Sequence, residues 1–384
     1  MRESDHERGE GAISYLAVVL LVATVTGALV TSGVGTTVVK ACESAICRVL
    51  GTGCPRPVAA GVAPAPSPSA APTGHRSPPR PPIPKPACQP DPDGPWAEGL
   101  HAHNDYQNKT PLQDALRNGA VSVEADVMID PQGELQLKHE EKEHSAGTLR
   151  ERYVEPLIER ARANGGRIHP GRDDPFLLVI EIKDVEPDRA TDPGAHASEE
   201  TLKRAKERLR AQAYQRAIEQ TRDLPPNVQV VFSAGRPGDA VGRQPSNVSF
   251  DTAPAAGCTL PPQLDPAAPE YDREYAKNFV IFNGKWSDCA DRDGDQEISP
   301  DEQRQLNELV ERAHNAGLKV RLWGGPDGAR RSETPGDFRW CFSKTCRQGT
   351  AEDAWRAQMT AGVDFLNTNH LTTARDWIRS CGQD

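Results

Sequence analysis

Residues 97–384 read as a parallel (β/α)8 barrel, the TIM architecture, on three observations. Short apolar strands alternate with helical patterns along the whole segment, the order that a parallel sheet with crossover helices demands. Two of those strands carry carboxylates on the inward face near their ends. A segment of this length can also bury a core of barrel size.

In chain order, residues 1–10 are polar, and Gly11–Val39 contains no charged residue. The run Ala12–Val30 is long and apolar enough to span a bilayer. A cleaved signal peptide has a shorter apolar core and a small-residue cleavage site, and no Ala-x-Ala is evident. Residues 1–40 are therefore expected to be an uncleaved transmembrane helix. Cys42, Cys47 and Cys54 follow at a spacing that matches no zinc pattern, open to lipidation or pairing. Residues 55–96 are rich in Pro, Ala and Ser and read as an extended, semi-rigid spacer, so 41–96 is a juxtamembrane segment and linker. This organisation implies a single-pass protein of the cell membrane with its barrel outside.

Within the barrel segment, the alternation around Glu124 is clean. Val121, Val123, Ala125, Val127 and Ile129 share one parity, whereas Ser122, Glu124, Asp126 and Asp130 share the other. Asp130-Pro-Gln-Gly133 is a turn, and the next extended run ends at His139. Phe176, Leu178, Ile180 and Ile182 form the outer face of a second strand, with Glu181 and Lys183 at the end of its inner face. A helix is expected over 149–164 and a highly charged, solvated one over 198–221. Short strands follow at 228–233, 247–251 and 279–283. A helix over 300–316 precedes the strand Lys319–Trp323, and a helix over 351–361 precedes the strand at Phe365 and a closing helix to Arg379.

Carboxylates facing inward are costly to bury unless paired or bound to a cation. Glu124, Asp126 and Glu181 offer three hard oxygen ligands, which suit Mg²⁺ or Ca²⁺. A salt-bridge layer with Lys183 and an Arg is the alternative. His101 and His103 before this set, and His139 after it, can supply a base and an acid near neutral pH. The formal net charge is −10 with no sustained basic run, so nucleic acid is not an expected partner. Nine cysteines favour an oxidising compartment, and none stands beside a barrel histidine, so no thiol nucleophile is expected.

One insert stands apart. Asp291, Asp293 and Asp295 occupy positions one, three and five of a twelve-residue EF-hand-like loop, with Glu297 at seven, Ile298 at eight and Glu302 at twelve. Calcium binding is expected there, although Gln296 stands where such loops usually have Gly.

The order His, Gly-Ala-x-x-x-Glu-x-Asp-Val, turn, His, then a strand with Glu-x-Lys resembles the glycerophosphodiester phosphodiesterase and phosphatidylinositol phospholipase C superfamily. Asn118-Gly-Ala-Val-Ser-Val-Glu-Ala-Asp126 resembles the sphingomyelinase D pattern. His101-Ala-His-Asn-Asp-Tyr106 followed by Pro111-Leu-x-x-Ala-Leu116 is closer to the "altered inheritance of mitochondria" branch. The likeness continues through Gly317–Trp323 and Gly362–Asn369. The superfamily's usual His-Arg-Gly opening, with its phosphate-binding Arg, is absent.

The resemblance implies a metal-dependent phosphodiesterase or phospholipase that works by two histidines. One, His103 on spacing with His101 the alternative, attacks phosphorus or acts as base. His139 protonates the leaving oxygen. Glu124, Asp126 and Glu181 would hold the ion. Lys183 would bind phosphate, Asn104 beside the first histidine would bind substrate or else shape the loop, and Trp323 and Asn369 would line the cleft. The expected partner is a phosphodiester or phospholipid substrate, met at the membrane that the N-terminal helix spans. Two other readings compete: a catalytically silent, calcium-binding surface protein on the same barrel, and a toxin-type phospholipase effector. The second rests on Arg8–Leu16, which resembles the N-terminal segments of actinobacterial prepilin-like and polymorphic-toxin proteins.

Overall fold

A computed structural model of the chain describes residues 93–185, 199–295, 297–327 and 351–382, together with Ile83 and Asp91. The expected transmembrane helix at 1–40, Cys42, Cys47 and Cys54, most of the spacer and Gln296 lie outside the described residues. Among the described residues no helix is long and apolar enough to cross a membrane.

Eight parallel strands close into a barrel. They are β1 (Leu100–Ala102), β2 (Ser122–Ile129), β4 (Phe176–Ile182), β5 (Val228–Phe232), β6 (Val248–Thr252), β7 (Phe279–Lys285), β8 (Lys319–Trp323) and β9 (Phe365–Thr368). Each pairs with its neighbour in the order β1-β9-β8-β7-β6-β5-β4-β2, and β1 closes onto β2 through His101 opposite Ser122. The extended run before His139 is β3 (Leu135–Leu137), which is not a barrel stave. It folds back antiparallel on the end of β2 after the Asp130–Gly133 turn.

The period-two pattern sorts the apolar residues into two layers. Val123, Ala125, Val127, Leu178, Ile180 and Phe232 face the surrounding helices in the larger core. Inside the barrel, Val121, Leu177, Val179, Val231, Ile281 and Phe365 form a second, smaller cluster. Val121 thus departs from the expected outer face: it precedes the first residue of β2, so strand parity does not govern it. Above this plug the barrel interior turns polar.

The helices behave as their sequences demand. Helix Pro300–Asn315 starts with a capping box, the Ser299 hydroxyl accepting from the Glu302 N–H while the Glu302 carboxylate accepts from the Ser299 N–H. It buries Leu306, Leu309, Val310 and Ala313. Helix Glu199–Thr221 buries only Ala213, Ala217, Gln220 and Thr221, the solvated outer helix expected from its charge. Gly235 shows why a side chain is excluded after β5: at φ +77° a Cβ there would sit 2.1 Å from the Ile182 carbonyl oxygen. Cys258 and Cys289 form a disulfide, Cα–Cα 5.1 Å, joining the segment after β6 to the short helix after β7.

Candidate active site

Residues at or beyond the C-terminal ends of β1, β2, β4, β8 and β9 meet in one polar cluster. Glu124, Asp126 and Glu181 each bring a carboxylate oxygen within 4.8 Å of the others, as their inward parity requires. Glu124 and Asp126 are buried. The Asp126 Oδ2 accepts from the Tyr106 hydroxyl at 3.0 Å and lies 3.3 Å from the Lys183 ammonium, which itself donates to Glu181 at 2.6 Å. Burial is the main force that pushes the Asp126 carboxyl up to about 7, assisted by Glu124 and Glu181 and opposed by Lys183. Burial opposes ionisation of Glu124 too, but there the Arg321 guanidinium prevails and holds it well below the usual carboxylate range.

Two oxygens in this group are left without partners. Glu124 Oε2 and Asp126 Oδ1 are both buried and accept no hydrogen bond. A buried acceptor without a donor costs about 1–3 kcal/mol, and more when charged. Such a pair, flanked by a third carboxylate, has the donor set of a hard divalent cation.

The two N-terminal histidines occupy different settings. His101 is fully buried, with Nδ1 2.8 Å from the Ser122 hydroxyl and Nε2 2.7 Å from the Arg321 guanidinium. Burial first and Arg321 second lower its pKa to about 4. His103 opens to solvent, with its side chain 30% exposed. Its Nδ1 donates to the Asn369 carbonyl oxygen at 3.0 Å, which turns Nε2 toward Glu124 Oε2 at 3.8 Å. Asn369 is held in turn by Asp327, which accepts from the Asn369 backbone N–H and the Thr368 hydroxyl.

His139 follows β3, next to Lys138, whose N–H donates to the Asp126 carbonyl. Its ring is exposed and, among the described residues, carries no hydrogen bond, while its backbone N–H donates to the Glu143 carboxylate. Trp323 ends β8, is 41% exposed and stacks with the Lys285 ammonium 5.8 Å from its ring centre. Asn104 takes the left-handed conformation, φ 44°, at the turn out of β1. Asp105, buried beside it, accepts from the Leu112 N–H, the Tyr153 hydroxyl and the Asn108 amide, and so shapes the loop.

The sequence reading missed a polar belt on the opposite wall. Arg321 on β8 is buried, with Nη1 3.1 Å from Glu124 Oε1, Nε 3.1 Å from the Asn283 side-chain carbonyl oxygen and Nη2 4.0 Å from Asp251 Oδ2. Asp251 accepts from the Ser233 hydroxyl at 2.6 Å and the Asn283 amide at 2.7 Å, and burial pushes its carboxyl up to about 6. A carboxyl raised on folding contributes stability that is present below its unfolded pKa and lost as pH rises through the folded one. Ionising Asp251 therefore costs about 3 kcal/mol by pH 7. Asp251→Asn, which keeps the acceptor, is expected to be more stable than wild type in thermal melts at pH 7–8. The advantage should vanish near pH 4, and equal melting points at both pH values would contradict it.

In the EF-hand-like loop, Asp291, Asp293 and Glu302 bring oxygens within 4.8 Å of one another. Asp295 and Glu297 are exposed and lie outside that group. Asp295 instead accepts from the Glu297 N–H. Glu302 is already engaged by the Ser299 capping box and by the Arg292 N–H. Three of the five expected ligands therefore come together.

Residues 96–169 match the family model described as AIM6-like phosphodiesterase domain. Over 309 residues, 73% of this chain and 69% of the relative, the sequence is 26% identical to Altered inheritance of mitochondria protein 6 of Eremothecium gossypii. The protein of the same name from Lachancea thermotolerans is 42% identical over 62 residues, 15% of this chain and 14% of that one. Among solved structures, a glycerophosphodiester phosphodiesterase from Parabacteroides distasonis is similar at TM-score 0.42 and 11% identity, covering 76% of this chain and 100% of that chain. The likeness to the altered-inheritance-of-mitochondria branch, implied by the motif order, is thus met by a phosphodiesterase-domain model over residues 96–169 and by two curated proteins of that name.

Proposed function

We propose that the chain is a divalent-metal-dependent phosphodiesterase acting on a glycerophosphodiester or a phospholipid head group. The observation that carries this reading is the pair of buried, unpartnered oxygens on Glu124 and Asp126, beside Glu181 and facing His103. Those three carboxylates would hold Mg²⁺ or Ca²⁺, which when bound neutralises charge on phosphoryl oxygens. His103 presents Nε2 to the cleft because Asn369 holds Nδ1, so it is the histidine able to take a proton or attack phosphorus. His101 has both ring nitrogens engaged and is assigned a supporting role. Lys183, tied to Asp126 and Glu181, would meet a phosphoryl oxygen. His139 is the proposed acid, swinging in from its exposed position beside β3. Trp323 and Lys285 border the mouth.

The N-terminal apolar run is proposed as a single membrane anchor that holds the barrel outside the cell, against lipid substrate. A second ion site is proposed at Asp291, Asp293 and Glu302. Ca²⁺ accepts irregular oxygen geometry better than Mg²⁺ does. Ca²⁺ is therefore expected to raise the melting temperature more than Mg²⁺, since a ligand at 100 times its Kd adds roughly 2.7 kcal/mol of stability over the unliganded protein. Asp291→Ala with Glu302→Ala should erase that difference, and an unchanged calcium isotherm would reduce the loop to a solvated acidic turn.

A catalytically silent barrel is the second reading, and the unpartnered, exposed ring of His139 is what favours it. Phosphorus NMR of the purified chain with Mg²⁺ against glycerophosphodiesters, lysolipids, sphingomyelin and phosphatidylinositol separates the two. A new phosphomonoester or cyclic phosphate supports the enzyme. No turnover of any member, with cation bound, supports the silent barrel.

A further inference from the structure

Arg321 gives one nitrogen to two acceptors that would otherwise meet each other. Its Nη1 lies 2.7 Å from His101 Nε2 and 3.1 Å from Glu124 Oε1. A guanidinium only donates, so His101 Nε2 must be the acceptor and the ring proton must sit on Nδ1, where the Ser122 hydroxyl accepts it at 2.8 Å. With no hydrogen on Nε2, His101 cannot bond the other Glu124 oxygen, Oε2, although it lies only 3.7 Å away. Oε2 is the oxygen left buried and unpartnered beside Asp126.

We infer that Arg321 is a positioning residue that keeps His101 from capturing the Glu124 oxygen facing the proposed cation. The inference rests on the reading of Glu124 as a metal ligand, and adds how that ligand is kept free. Without Arg321, His101 would move its proton to Nε2 at little cost, because the Ser122 hydroxyl can donate to Nδ1 as readily as it accepts. A shift of under about 1 Å would then bring Nε2–H into hydrogen-bond range of Oε2. The fork is anchored from behind by Nε to Asn283 at 3.1 Å, so its planar geometry, not charge alone, sets both contacts.

The test is calorimetry of Mg²⁺ and Mn²⁺ alone with the full chain, in the Asp291→Ala/Glu302→Ala background so that the loop is silent. Arg321→Met should weaken binding on the order of 10–100-fold. His101→Phe/Arg321→Met, which removes the competitor as well, should recover wild-type affinity to within about threefold, a rescue that a purely structural arginine would not allow. Nitrogen-15 NMR should find His101 as the Nδ1–H tautomer in wild type and as Nε2–H in Arg321→Met. Undiminished binding in Arg321→Met, no recovery in the double variant, or a wild-type Nε2–H tautomer each overturns the inference alone. Should Arg321→Met fail to fold, the wild-type tautomer decides. A wild type that binds neither cation overturns the metal reading and this inference with it.

Discussion

Replacing His103 with alanine is expected to lower turnover of a phosphodiester on the order of 10²–10⁴-fold while leaving the fold intact. His103 projects from the end of β1 into the cleft, its side chain 30% exposed, and packs no core. Its removal leaves the Asn369 amide near solvent, so the expected stability change is small. The tautomer argument gives the direction. Asn369 accepts from Nδ1, so the lone pair at Nε2 faces the carboxylates, where a substrate phosphoryl group would lie. Asn369→Asp should retain part of the rate, since it keeps the acceptor, whereas Asn369→Leu should approach His103→Ala. His101→Ala makes the comparison: its pKa, lowered to about 4 by burial and Arg321, makes it a poor proton acceptor at neutral pH. Full activity in His103→Ala, with loss in His101→Ala, would reverse the assignment.

The carboxylate side of this site was legible in the sequence because strand parity is local information. Glu124, Asp126 and Glu181 could be placed inward from their own neighbours, and the register Asp126 opposite Glu181 then brings the strands' acids together. The belt of Arg321, Asp251, Asn283 and Ser233 was not legible. Each stands alone in or at the end of a short strand, and Arg321 meets His101 across a sequence separation of 220 residues. The inward parity of Arg321, between buried Val320 and Leu322, was the available signal. The strand count survived for the same local reasons. The expected outward Val121 did not, because periodicity was carried one residue past the start of β2. In the acidic loop the ligand order was readable, but the competing demand of the capping box on Glu302 emerges only from geometry.

Chelation is expected to abolish turnover, Mg²⁺ or Ca²⁺ to restore it, and Glu124→Gln to lose on the order of 10²–10³ in rate even at saturating cation. The substitution is nearly isosteric, so its effect isolates charge and ligation. In wild type, Arg321 neutralises Glu124 through Oε1 and leaves Oε2 unpartnered. A glutamine can satisfy only one of those demands: with its carbonyl oxygen on Arg321, its amide hydrogens point into the cation site. Asp126→Asn meets the same conflict, since Oδ2 accepts from Tyr106 while Oδ1 is the unpartnered atom. Lys183 distinguishes a cation from a mere salt-bridge layer. Its ammonium lies 3.3 Å from Asp126 and 2.6 Å from Glu181, on their side of the site, and leaves Glu124 Oε2 unserved. If Lys183 and Arg321 were sufficient counter-charge, chelation would change nothing and added Mg²⁺ would bind nowhere in the barrel. Rates measured after exhaustive chelation, beside calorimetry on Glu124→Gln in the loop-silenced background, decide between them. Turnover that persists through both chelation and Glu124→Gln would assign the carboxylates to a salt-bridge layer and leave a phosphodiesterase without a metal.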